Sequence, residues 1–77
     1  MKEITEQMKD AILEAIPGAT VSVSGAGGHF VIEVTSKQFE GKRTLQKHRM
    51  VLQSIAHLMK GDNAPVHAID KLTCNIE

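Results

Sequence analysis

The chain has 77 residues, nine basic and nine acidic side chains, and a formal net charge of zero. That length leaves no room for a separate catalytic domain, and we read residues 1–77 as one domain with a thin core. The balanced charge argues against strong non-specific nucleic-acid binding, which draws on a basic excess. A single cysteine excludes an internal disulfide framework and a cysteine-rich zinc site.

In chain order, Ile4, Met8, Ala11, Ile12 and Ala15 recur at helical spacing and predict an amphipathic helix over 3–16. Its charged start, with Glu3, Glu6 and Asp10, lacks the apolar core of a signal peptide. Pro17-Gly18 ends the helix. Residues 19–24 alternate, with Val21 and Val23 on one face and Thr20, Ser22 and Ser24 on the other, as in a half-buried strand. Gly25-Ala26-Gly27-Gly28 reads as a turn, and residues 29–35 as a second strand with Phe30, Ile32 and Val34 on its core face. The short glycine-rich link makes the two an antiparallel hairpin.

Residues 36–43 form a connection with a short helical turn around 37–39. A long helix is predicted over 44–60, with an apolar stripe of Leu45, Val51, Leu52, Ile55, Leu58 and Met59, and Gly61 as its cap. After a loop at 62–65, residues 66–76 are the last strand. Its even positions Val66, Ala68, Leu72, Cys74 and Ile76 form an apolar face interrupted by Asp70. A helix between the second and third strands makes them parallel. The expected fold is α/β (α+β), in the order α-β-β-α-α-β, with a three-stranded mixed sheet covered by helices on one face. No segment has the length of a membrane span.

Few residues carry chemistry. In Lys47-His48-Arg49, His48 falls within the apolar stripe, while its neighbours lie about 100° to either side. His48 therefore reads as a structural histidine, and Lys47 and Arg49 as helix flanks. Lys42, Arg43, Lys47 and Arg49 concentrate positive charge near the start of that helix, where phosphate is favoured. With the short turn at 37–39 they allow a helix-turn-helix reading, with Gln46, Arg49, Met50 and Gln53 on the groove-facing surface.

His67 follows Pro65 and starts the last strand. Its flanking Val66 and Ala68 point to the other face, so its ring projects away from the helices. One imidazole holds no metal without further ligands. His29 is the nearest candidate, because parallel pairing sets both at the same edge of the sheet. The simpler reading is an ordinary strand-edge histidine for His67 and a turn histidine capping loop backbone for His29. Gly25-Ala26-Gly27-Gly28 leads into a strand, so it lacks the context of a phosphate loop or a G-x-x-G RNA clamp. Cys74 reads as an inert core thiol, and no nucleophile–base pair is evident.

Four pieces in order, Gly28-His29-Phe30, Phe39-Glu40-Gly41-Lys42, Leu45-Gln46-Lys47-His48-Arg49 and Val66-His67-Ala68, resemble the signature of the BolA family. The chain is most similar to its short bacterial type. The resemblance implies a fold like class II KH domains, with Phe39, Gly41 and His48 as structural positions. It implies no enzymatic activity and no small-molecule substrate. It implies a monothiol glutaredoxin as partner, and the single cysteine suits a reducing cytoplasm. Between them the two proteins would hold a [2Fe–2S] cluster used in iron–sulfur maturation, trafficking or iron sensing. The histidine matching His67 is a cluster ligand in the family, and a Cys or His of the first hairpin loop is the second. This chain departs there: the loop has neither, and His29 is the nearby donor. The remaining ligands would be a glutaredoxin cysteine and its glutathione. The resemblance also carries an alternative: a small helix-turn-helix transcriptional regulator contacting DNA through Lys42, Arg43, Lys47 and Arg49.

Overall fold

A computed structural model describes residues 3–77; Met1 and Lys2, the start of the expected domain, lie outside the described residues. Helix α1 spans Ile4–Ala15 and buries Met8 and Ile12 completely. Ala15, expected on its apolar face, is exposed. Ile16 takes the last core position instead, as the cap whose N–H donates to the Ile12 carbonyl at 2.8 Å. Strand β1 (Thr20–Ala26) and strand β2 (His29–Thr35) pair antiparallel from Thr20–Thr35 to Ala26–His29. The strand therefore runs two residues further than its alternation suggested. Only Gly27 and Gly28 turn the chain, both at positive φ (65° and 83°). A two-residue loop with two positive φ angles matches the twist of a hairpin, and glycine adopts it without penalty.

Strand β3 (Ala68–Asn75) pairs parallel with β2, giving the sheet order β1-β2-β3. Phe30, Ile32 and Val34 of β2 are buried against α1 and helix α2 (Thr44–Ser54), so both helices cover one face. The register slips between Phe30 and Val31: Phe30 pairs with Ile69, but Val31 pairs with Lys71. Asp70 is the extra residue of a β-bulge. The bulge resolves the interruption seen in the sequence. Ile69, Leu72 and Cys74 pack against the core, and Ala68 pairs with exposed His29 instead of continuing the apolar face.

The second helix is shorter than its periodicity predicts. It ends at Ser54, whose hydroxyl donates to the Val51 carbonyl, and the chain tightens into a 3-10 turn at Ala56–Leu58. A hydroxyl bonded to a carbonyl of the preceding turn competes with the helix ladder. Three residues per turn bring Ile55 and Leu58 to the same side, and both reach the core. The Leu58 carbonyl then accepts from the Val66 N–H at 3.2 Å, tying the helix exit to the approach to β3. Within α2, Val51 is the residue fully buried, and the cap Ile55 continues that line. Leu45 and Leu52, expected on the same stripe, are 61% and 37% exposed. The stripe is narrower than drawn because α2 packs on the outer strand of a three-stranded sheet and no described element lies beyond it.

Candidate functional site

The turn at Gly27-Gly28, the head of β2 and the approach to β3 meet at one end of the sheet. The Gly28 carbonyl accepts from two amides, His67 N–H at 2.8 Å and Ala68 N–H at 3.0 Å. This fork holds His67 beside the turn, one residue ahead of the His29–Ala68 pair. The His67 ring lies on the Gly28 backbone: a Cβ at Gly28 would sit 2.8 Å from its Cγ and Cδ2. The histidine is exposed. It borders a shallow depression of about 230 Å³ with Met59, Gly61, Asp62, Ala64 and Val66.

His29 is also exposed, but its ring is engaged. Its Nδ1 lies 3.1 Å from Asp70 Oδ1, with side chains 59% and 56% exposed. The bulge turns Asp70 toward the open face where His29 stands. A carboxylate on one ring nitrogen orients the imidazole and points Nε2 outward, an arrangement common around metal-binding histidines. Exposed pairs of this kind contribute little to stability. Asp70→Ala should lower the unfolding free energy in urea by less than about 1 kcal/mol while freeing the His29 ring. Among the described residues no group of three or more His, Cys, Asp or Glu side chains is arranged to hold a metal ion. The two histidines can supply at most part of a ligand set.

The basic residues do not form one patch. Lys42, Arg43 and Arg49 are exposed, and Lys47 is half-buried on the flank of α2 that faces the end of β3. There the Lys47 charge partly offsets the effect of burial on Cys74, whose thiol pKa is nonetheless raised. Because the unfolded thiol ionises first, the unfolded state binds fewer protons above its ordinary pKa. Stability should fall as pH rises past about 9, until the folded thiol also ionises, and Cys74→Ala should remove that part of the slope in alkaline denaturation. Arg43 caps α2: its N–H donates to Gln46 Oε1 at 3.0 Å. The helical piece before α2 is a single 3-10 turn, Lys37–Phe39, with Phe39 buried in the core. Gly41 takes φ 78° in the link to α2, and His48 is half-buried beside Val51.

Sequence reasoning brought His67 and His29 to one edge, but it drew His67 inside a strand over 66–76 with its ring away from the helices. The strand starts at Ala68, which shares the His29 side. His67 instead borders the depression at the exit of the helical layer with Met59, Asp62 and Val66. Sequence reasoning also missed Asp70 as the partner of His29 and Gly28 as the seat of His67. An acidic residue breaking an apolar alternation was the available signal for the first. The second had none beyond a glycine at the turn.

The molecule is thus an α/β domain of two helices over a three-stranded mixed sheet, with a histidine seated on the hairpin turn. The chain belongs to the BolA family: residues 5–75 match its model, described as BolA-like protein. Protein BOLA2 of Arabidopsis thaliana is 39% identical over 69 residues, covering 88% of this chain and 70% of the relative. An uncharacterised protein from the rpoN–murA intergenic region of Acinetobacter guillouiae is 33% identical over 66 residues, covering 84% and 76%. Among solved structures, BolA1 from Arabidopsis thaliana superposes with a TM-score of 0.81 at 17% identity, covering 99% of this chain and 94% of its own. A BolA homologue from Coxiella burnetii gives 0.74 at 29% identity, covering 96% and 92%. No described helix is long and apolar enough to cross a membrane.

Proposed function

We propose that this chain is a non-enzymatic module that pairs with a monothiol glutaredoxin in a reducing cytoplasm and shares a [2Fe–2S] cluster with it. His67 is the ligand from this side. The observation that carries the reading is its exposed imidazole, seated on Gly28 by two backbone hydrogen bonds, in a chain with no complete metal site among its described residues. A fixed, solvent-facing donor that is insufficient alone suits a shared site. His29, oriented by Asp70, is the second donor where the hairpin loop offers neither Cys nor His. The glutaredoxin cysteine and glutathione would complete the set. Imidazole in place of thiolate raises a cluster's potential, which suits sensing or transfer.

Anaerobic co-purification with a monothiol glutaredoxin, followed by visible absorption and circular dichroism, tests this. Wild type should give a heterodimer spectrum distinct from that of the glutaredoxin alone. His67→Ala should lose it while keeping its own fold, and His29→Ala should alter it. A wild-type cluster spectrum from the His67→Ala complex would remove His67 from the ligand set. The DNA-binding alternative has weaker support, since α2 sends Lys47 and Arg49 in different directions and is preceded by only one 3-10 turn.

A further inference from the structure

Among the described residues the outer edge of β3 is unpaired, since the sheet order β1-β2-β3 leaves β3 at one side. It presents a row of backbone donors and acceptors over Ala68–Asn75. Such edges join other strands unless charge, bulges or covering segments prevent it. Here the charge and the bulge have a particular order: Ile69-Asp70-Lys71-Leu72. Ile69 and Leu72 lie on the helix-covered face, packed against the core. Asp70 meets His29 on the open face, and Lys71 pairs with the exposed Val31 there.

We infer that the β3 edge is a self-association surface on which a second copy of this chain pairs antiparallel. The two-fold axis passes between Asp70 and Lys71. That axis sets Asp70 opposite the partner's Lys71, and Ile69 opposite the partner's Leu72, each twice. In an unbulged strand such a pairing would set core-facing residues against open-face residues, because side chains alternate. The bulge at Asp70 changes the phase between Ile69 and Lys71, so each facing pair shares a side of the sheet. Opposite charges directly across an antiparallel pair stabilise it, and like charges oppose it. Asp70 uses Oδ1 toward His29, which leaves Oδ2 for the lysine.

The helical layer agrees with the same occupant. Met50 and Ser54 of α2 border a groove with Ala15 and Ile16 at the end of α1. Leu45 and Leu52, seven positions apart, lie on the flank of α2 away from that groove and are exposed there. A two-fold related copy brings its own α2 alongside, and the two flanks cover each other. The other free edge, along β1, offers Ser, Thr and Gly and no complementary charges. A single strand pair with a small apolar flank makes a weak interface, with a dissociation constant of roughly 100 µM.

Sedimentation velocity on the full chain across concentration should show a reversible monomer–dimer equilibrium. Lys71→Asp and Asp70→Lys should each weaken it at least about tenfold, by facing like charges. The double variant Asp70→Lys/Lys71→Asp should restore it, since the swap keeps opposite charges facing. Circular dichroism melts check that the variants fold. In a mixture of differently isotope-labelled chains, intermolecular contacts should link Ile69 methyls to Leu72 methyls. A monomer at every concentration up to about 1 mM would overturn the inference. So would a dimer indifferent to Lys71→Asp, or a charge swap that fails to restore association.

Discussion

Phe39→Ala should be among the most destabilising single changes in this chain. The ring is 0% exposed and sits where the β2 exit meets the start of α2. Removing a buried phenylalanine costs about 3–5 kcal/mol, because the cavity collapses only in part. A domain of this length has roughly 4–12 kcal/mol in all. In urea the midpoint should move far toward zero with little change in slope. The melting temperature should drop by at least about 12 °C. The surroundings give the cavity little chance to close. Ser36, itself buried, accepts from the Gln38 N–H at 3.0 Å, and its own N–H donates to the Asn75 carbonyl at 3.0 Å. The turn carrying Phe39 is thus held to the end of β3. Phe39→Leu keeps much of the apolar contact and should lose less than half as much. A Phe39→Ala melting curve within a few degrees of wild type would show that the turn rearranges to fill the space.

Gly28→Ala should have the largest effect on the proposed site of any change that keeps both histidines, and Gly27→Ala is its control. Both glycines have positive φ, so alanine at either costs about 1–2 kcal/mol in backbone strain. They differ in surroundings. A Cβ at Gly27 meets nothing within 4 Å, whereas one at Gly28 sits 2.8 Å from the His67 ring. Gly28→Ala must therefore displace the imidazole, and Gly27→Ala need not. The two variants should melt at comparable temperatures, with Gly28→Ala somewhat lower. Only Gly28→Ala should change the His67 ring resonances in the isolated chain. In the glutaredoxin complex, Gly28→Ala should approach the His67→Ala spectrum while Gly27→Ala keeps that of wild type. If both variants left the His67 resonances unchanged, the seat on Gly28 would not position the ring. If Gly28→Ala moved the ring and the cluster spectrum stayed wild type, ring placement would be irrelevant to the proposed ligand role.

Much of this molecule is written in short-range pattern. Period-two alternation in β2 sends Phe30, Ile32 and Val34 to the core, and helical spacing in α1 buries Met8 and Ile12. Glycines at 27 and 28 make the hairpin, and the helix that follows β2 makes β3 its parallel neighbour. These features depend on residues a few positions apart, so one sequence suffices to read them. Other features depend on what packs across the sheet. The exit of α2 at Ser54 is settled by bringing Ile55 and Leu58 to the core and by the Val66 bond to the Leu58 carbonyl. The exposure of Leu45 and Leu52 follows from α2 lying on the outer strand, with no described element on its far side. The bulge at Asp70 and its contact with His29 join residues 41 apart in the chain. The ring of His67 on Gly28 is likewise a meeting of distant segments. Local sequence determined the type and order of the strands and helices and most of their core-facing residues, while packing set where α2, β1 and β3 begin or end. Tertiary packing decided how the two histidines are held, because their partners, Asp70 and Gly28, come within reach only when β3 registers against β2.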